Sequence, residues 1–463
     1  TFFMKLNCRG FEHLWCPAIR KFLFRRAPST RLSNLPDKET VKNVKLAAAI
    51  AAALSAVAGT AHAAGFQLTE QSALALGRAY AGVGVDGTDI SGVYYNPATM
   101  TLHKGTKVQA GGVGVGLNLE YVDKHGDEHN QNGRGPEQFV PHGFFTHQIN
   151  DSTWFGLGIT VPFGMGTEYG DHWAHNDTGV SANIITVDIN PNVAWKVSEK
   201  FSIGAGVSLQ YAKADLKKGM IPGHQAATSE IDADSTAWGW NVGLMWSPVE
   251  NLRFGLSYRS HVKHDAEGTL TVEGMTDFTS VPGIGSDLTF MNGSRKGYAT
   301  VEAPAWAMAT AAWDVNDLLS LYATFRWADW SSFKELEITS DHPLIGSKIT
   351  NNWRDTYLFS VGGDLRLTDF WTLRGGVGYE TSPIKNPEYR TAIIPDANRW
   401  WFAFGSSFKW TEQFSTDVSF AHLHGVGERN LWAKNAHTGA DEKVGRFRRL
   451  DAYLIGVQMQ YQF

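Results

Sequence analysis

Histidine, serine and glycine are where chemistry would show first in this chain. Its 16 histidines include three close pairs, His125 with His129, His172 with His175, and His422 with His424. A zinc site needs three or four nitrogen, sulfur or carboxylate ligands at compact spacing. No cysteine or ordered carboxylate spacing accompanies any pair, so the histidines read as surface residues and no metal site is assigned. Ser419 and His422 lie near enough in sequence to suggest a nucleophile and its base, but no acid partner is identifiable. No Gly-x-Ser-x-Gly elbow is present either. Gly112-Val113-Gly114-Val115-Gly116 imitates a nucleotide loop, yet it sits inside an alternating segment and no helix follows it. Neither an enzyme nor a cofactor is expected. The net charge of −5 offers no basic field for nucleic acid.

The elements that would position any site are strands. Tyr453, Ile455, Val457, Met459, Tyr461 and Phe463 alternate with Leu454, Gly456, Gln458, Gln460 and Gln462. One face is apolar and aromatic and the other largely polar, the pattern of a strand with lipid outside and a hydrated lumen inside. The same alternation recurs from Phe201 to Tyr211, Leu252 to Tyr258, Leu319 to Trp327 and Trp400 to Trp410. No stretch after the leader approaches the roughly 20 continuous apolar residues of a spanning helix. Tight turns fall near Asn150-Asp151, Ser198-Glu199, Pro248–Asn251, Asn316-Asp317, Thr368-Asp369 and Thr411–Gln413. Long polar connections are expected near 123–135, 164–182, 217–233, 266–293, 330–352, 382–397 and 425–448. Short and long connections alternate as an outer-membrane barrel requires, and they separate about 14 strands.

The fold class expected is all-β, a transmembrane antiparallel barrel over residues 106–463. Residues 64–105 do not alternate. Gln67 to Ala81 reads as helical, and Tyr94-Tyr95-Asn96-Pro97-Ala98 sets Asn before Pro, which favours a turn or helix start. This segment is apolar and glycine-rich where a dangling tail would be polar and charged, so it is expected to fold into the lumen as a small helical hatch. Lys42, Lys45, the Ala-rich run Leu46 to Val57 and Ala61-His62-Ala63 make residues 41–63 a signal peptide, which together with the barrel pattern is expected to place the protein in a Gram-negative outer membrane. Residues 1–40 fit no secretory pattern and are expected to lie outside the native protein; a genuine long leader is the alternative. Both cysteines, Cys8 and Cys16, fall there, which suits export into an oxidising periplasm.

Six segments resemble the FadL-type family of outer-membrane long-chain fatty acid transporters, which also includes importers of aromatic hydrocarbons. They are Gly65-Phe66-Gln67-Leu68, Gly77-Arg78-Ala79-Tyr80, Asn96-Pro97-Ala98, Leu252 to Ser260, Trp330-Ser331-Ser332-Phe333, and Ile394-Pro395-Asp396 followed by Arg399-Trp400-Trp401. They occur in the family's order along the whole mature chain. The resemblance implies a monomeric fourteen-stranded barrel with a hatch in its lumen. It also implies ligand-gated passive diffusion, from an outer hydrophobic groove to a deeper pocket and then sideways through a kinked third strand. Phe66, Asn96 and Pro97 in the hatch and Val161-Pro162-Phe163-Gly164 in the strand would form that gate, since proline cannot donate to a ladder and glycine permits a sharp bend.

A fatty acid asks for a long apolar slot with one cationic end. By the resemblance, Lys218 falls where a deep-site cation is expected, and Arg390 and Arg399 fit the same pattern. Where a second basic residue is expected after Phe333 the sequence has Glu337, with Lys334 as a neighbouring substitute. That departure weakens the case for a carboxylate and keeps aromatic hydrocarbons open as ligands. Phe278, Val281, Ile284, Leu288 and Phe290 are apolar candidates for the outer groove. A general diffusion porin is a further alternative, which a plugging N-terminus opposes. The partners implied are a hydrophobic small molecule, outer-membrane lipid and lipopolysaccharide, and the barrel assembly machinery through the C-terminal Tyr461 and Phe463.

Overall fold

A computed structural model describes residues 65–126, 138–169, 175–221, 226–276, 286–342, 345–434 and 440–463. The leader expected over 41–63, the segment 1–40, Phe278, Val281, Ile284 and the histidines His129 and His172 lie outside the described residues. No described helix is long and apolar enough to cross a membrane.

The wall is one closed antiparallel sheet of fourteen strands. They are β1 (Thr106–Asp123), β2 (Gln138–Asn150), β3 in two pieces (Thr153–Thr160 and Gly164–Glu168), β4 (Ser181–Ser198), β5 (Phe201–Gly219), β6 (Thr228–Val249) and β7 (Leu252–Arg259 and Val262–Glu273). Then follow β8 (Gly293–Ala303 and Trp306–Asp314), β9 (Leu319–Ala328), β10 (Thr356–Arg366), β11 (Trp371–Glu380), β12 (Asn398–Lys409), β13 (Phe414–Val426) and β14 (Asp441–Gln462). Pairing of β1 with β14, from Lys107 opposite Gln462 to Asp123 opposite Gly445, closes the ring. Every expected tight turn joins two adjacent strands.

Side-chain alternation runs as the sequence indicates. Tyr453, Ile455, Val457, Met459, Tyr461 and Phe463 of β14 are all exposed on the outer face, while Gln458 between them is buried in the lumen. Three expected loops are shorter than their polarity suggests. β5 and β6 run into 217–233, β7 runs to Glu273 inside 266–293, and Asn430–Lys434 pairs with β14 inside 425–448. A membrane needs only about 9–11 residues of tilted strand. The 19 residues of β5 and the 22 of β6 therefore rise beyond the bilayer, where water rather than lipid meets the outer face and the apolar code lapses.

Residues 65–105 precede β1 and are buried almost throughout. The long helix expected over Gln67–Ala81 is a single turn, α1 (Ala73–Leu76), N-capped by the Ser72 hydroxyl. Ala79 and Tyr80 adopt left-handed backbone and end it. A second short helix, α2 (Gly92–Tyr95), leads into a 3-10 turn over Pro97–Leu102, with the Asn96 side chain accepting from the Ala98 amide. The lumen wall makes room by being glycine where the hatch touches it. A Cβ on Gly204 would stand 2.6 Å from the Pro97 carbonyl carbon, and one on Gly243 would collide with the Asn96 amide oxygen.

Candidate functional site

Two sets of interactions hold the hatch in the barrel. The first is a belt of buried charge near the short-turn end. Arg78 pairs with Asp86 within the hatch and with Asp364 of β10 at 3.2 Å, and its guanidinium lies 3.9 Å from the centre of the Tyr322 ring. Arg374 then bridges Asp364 at 3.3 Å and Asp417 at 3.2 Å. On the other side, Arg259 pairs with Asp188 at 3.1 Å and donates to the Tyr94 carbonyl at 3.2 Å. Asn96 ties the hatch to the wall by donating to the Leu244 carbonyl at 3.0 Å. Below this belt a polar vestibule of about 1110 Å³ opens between Asp86, Arg253, Asp314, Arg366 and Lys409.

The second set lies at a break in the wall. β3 stops at Thr160 and resumes at Gly164, because Pro162 cannot donate a ladder bond. Beyond the break the ladder is incomplete. β2 pairs with β3 only from Gly143 onward, and Gly164–Glu168 pairs only with β4, so Gln138–His142 has no partner on that side among the described residues. The chain's own N-terminal strap, residues 65–71, pairs with the broken segment of β3. Gln67 and Phe163 form an antiparallel bridge, flanked by Leu68 N donating to the Pro162 carbonyl at 2.8 Å and Gly164 N donating to the Phe66 carbonyl at 2.9 Å. The Gln71 side chain donates to the Val161 carbonyl at 2.7 Å and accepts from the Val161 amide at 3.2 Å. Gly65 N donates to the Asp396 carboxylate at 2.7 Å, which gives the Ile394-Pro395-Asp396 segment a role in anchoring the strap.

The strap carries Phe66 into a cluster of rings, 4.7 Å from Trp330, 5.6 Å from Phe333 and 6.0 Å from Phe163. The same Phe66 and Phe163 line an apolar cavity of about 60 Å³ with Met165, Leu216, Ile231 and Ile394. A pocket that encloses a small ligand measures roughly 300–1,000 Å³. The cavity is therefore closed down, and the strap is one of its walls.

The cations expected at the site divide. Arg390 is consumed by the protein, donating to the Glu428 carboxylate at 3.0 Å and to the carbonyls of Asn430 at 2.7 Å, Glu428 at 2.8 Å and Asp396 at 3.1 Å. Arg399 is held by Asp396 and Glu380. Lys334 is exposed, with its carbonyl accepting from Asn351 and Asn352. Lys218 differs. It is half-buried on the inward face of β5, two residues beyond cavity-lining Leu216, and no direct ion pair holds it among the described residues. Asp177, on a 3-10 turn, is the acidic group that acts on it. Of the apolar loop residues described, Leu288 packs against the core and Phe290 is exposed with its ring beside His342.

Reasoning from the sequence missed Glu70. It lies within the strap with its carboxyl fully buried, and neither oxygen is hydrogen-bonded to another residue. Loss of water, aided by the Glu380 carboxylate, pushes the carboxyl up to about 7, against the pull of its own backbone amide and of Arg326 and Arg399. The Ser419–His422 pair does not form. Ser419 faces the lumen and His422 the outside, because an odd spacing along a strand reverses the face.

Residues 54–463 match the family model of an outer membrane protein transport protein (OMPP1/FadL/TodX). The long-chain fatty acid transport protein of Escherichia coli (strain K12) is 27% identical over 447 residues, covering 90% of this chain and 98% of its own. Outer membrane protein P1 of Haemophilus influenzae is 26% identical, covering 89% and 98%. The crystal structure of a Pseudomonas aeruginosa FadL homologue superposes with a TM-score of 0.74 at 26% identity, covering 86% of this chain and all of that one. The Pseudomonas putida toluene transporter TodX shares the fold, with a TM-score of 0.64 at 17% identity over 85% of this chain and 98% of that one.

Proposed function

This chain belongs to the outer membrane protein transport family (OMPP1/FadL/TodX), and we propose from that premise that it imports long-chain fatty acids by diffusion through a strap-gated lateral opening in β3. It is an outer-membrane transporter of fatty acids or hydrophobic aromatic molecules and not an enzyme. The observation that carries the finer reading is the strap itself. It completes a broken ladder with its own backbone and walls off the apolar cavity at the same point. A ligand entering the cavity must displace Phe66, and displacing Phe66 pulls on the two backbone bonds that close the break. Apolar cargo leaving there enters the bilayer directly and avoids the polar vestibule.

Lys218 supports a carboxylate at the outer end of this path. A cation that is half-buried with no direct ion pair gains from charge-assisted hydrogen bonds to an incoming anion. The lumen arginines already bonded to protein acids favour the second reading, neutral aromatic hydrocarbons, which require no cation. The hatch, buried almost throughout, favours a gated route over an open porin. In the same reading the barrel is a monomer bathed in lipid and lipopolysaccharide. Tyr461 and Phe463, exposed with rings 5.0 Å apart, are the residues offered to the assembly machinery.

The test is uptake of labelled oleate against toluene in cells lacking their own transporter. Fatty acid transport predicts oleate uptake that falls about ten-fold in Lys218→Ala, the loss of one charge-assisted bond of roughly 1.5 kcal/mol. Toluene uptake without oleate uptake would move the substrate to neutral hydrocarbons and leave Lys218 without a role in binding.

A further inference from the structure

The outer wall holds a second group of chemistry-bearing side chains, away from the transport path. His422 and His424 are two residues apart on β13 and so project from one face, opposite Tyr453 and Asp451 of β14. Tyr453 is the outermost aromatic of the lipid-facing row that ends at Phe463, and Asp451 stands one step beyond it on the same face. The His424 Nδ1 lies 3.0 Å from one Asp451 oxygen and the His422 Nε2 lies 3.8 Å from the other. The ligand atoms of all three residues fall within 4.8 Å of one another. Two ligands about 2.1 Å from a tetrahedral zinc stand about 3.4 Å apart, so small side-chain adjustments from the present separations would bring the three groups to a shared ion.

The supports of a metal site are also present. The His422 ring stacks on Tyr453 at 4.7 Å with an interplanar angle of 7°, which holds its orientation. The Gly425 amide donates to the Asp451 carboxylate at 3.1 Å, which holds the oxygen ligand. His422 Nε2 is enclosed yet has no hydrogen-bond partner. A lone ion pair between His424 and Asp451 would leave that nitrogen unexplained.

We infer that His422, His424 and Asp451 form a surface site for a divalent transition-metal ion of the zinc class. The metal takes the place of the proton between His424 and Asp451, and its remaining positions face water. Two imidazoles and one carboxylate select zinc over magnesium, which prefers an all-oxygen shell.

The experiment is calorimetric titration of zinc into the untagged, full-length barrel in detergent micelles at neutral pH, with folding checked by heat-modifiable gel mobility. One zinc per barrel is expected, with affinity falling at least ten-fold in each of His422→Ala and His424→Gln. Millimolar magnesium should not compete, and oleate uptake by His424→Gln cells should be unchanged. Absence of a one-to-one site in the wild type would overturn the assignment. So would a doubly substituted H422A/H424A barrel that binds zinc like the wild type, or competition by magnesium.

Discussion

The two ends of the hatch are held by different physics. Around Arg78 the hatch meets the wall through the Arg78–Asp364 pair, one link in a chain of buried ion pairs that runs from Asp86 to Asp417. At the strap the contacts are four hydrogen bonds to the β3 break, one from Gly65 N to the Asp396 carboxylate, and one phenylalanine in a ring cluster. Neutral hydrogen bonds contribute about 0.5–1.5 kcal/mol each, so those four together amount to about 2–6 kcal/mol but can be broken singly. Breaking a buried ion pair costs about 3–5 kcal/mol, because a charge is left without solvent or partner. The strap's bonds can give way one at a time, whereas the Arg78 pair cannot part without leaving charge buried. One short segment is thus held by charge at one end and by backbone pairing at the other.

The largest effect should come from the belt. Arg78→Ala leaves Asp86 buried without its cation and Asp364 with Arg374 alone, and should cost about 3–5 kcal/mol. The check is a lowered midpoint for loss of the folded form on heating, with a rise in small-sugar permeability. If permeability stays at the wild-type level, the belt is not what plugs the lumen.

At the strap the decisive change is a reversible lock. Gln67 and Phe163 form a non-hydrogen-bonded antiparallel pair, whose Cα atoms stand about 4.5 Å apart, within disulfide range. The variant Gln67→Cys with Phe163→Cys should cross-link, abolish uptake when oxidised and recover it under reductant. Equal uptake in both states would sink the gate.

Glu70 sharpens the comparison through pH. Its carboxyl ordinarily titrates at 4.5 and sits at about 7 in the folded hatch. A raised folded value means the neutral form is favoured, so docking is strongest below 4.5 and weakens as pH rises through 7, by at most about 3 kcal/mol. Hydrogen exchange at the Leu68 and Gly164 amides should quicken between pH 5 and 8 beyond the intrinsic rate, and Glu70→Gln should remove the excess. The smallest effect is expected at Gly164, where Gly164→Trp should lower uptake partially with no loss of outer-membrane abundance. Undiminished uptake in that variant would mean cargo does not pass the break.

Much of this was readable in one dimension. Alternation along β14 identified the lipid face residue by residue, and Pro162 marked the break, because both are local properties of backbone and neighbour. Cations were read less well. Lys218, Arg390 and Arg399 look equivalent in sequence, yet Glu428 consumes Arg390, Asp396 and Glu380 hold Arg399, and only Lys218 has no direct ion pair among the described residues. Glu70 gave no signal at all, since burial without a partner is a property of surroundings and not of residue type.

Residue order by itself determined strand, turn, outward face and the place where the ladder must fail, because each depends on a period of two or on one residue's dihedral limits. Tertiary structure decided what meets what. It brought Gly65 to Asp396 across 331 positions, set the strap into the gap of β3 and placed Asp451 beside His422 and His424. Closing a sheet on itself makes neighbours of residues whose separation along the chain carries no trace of it.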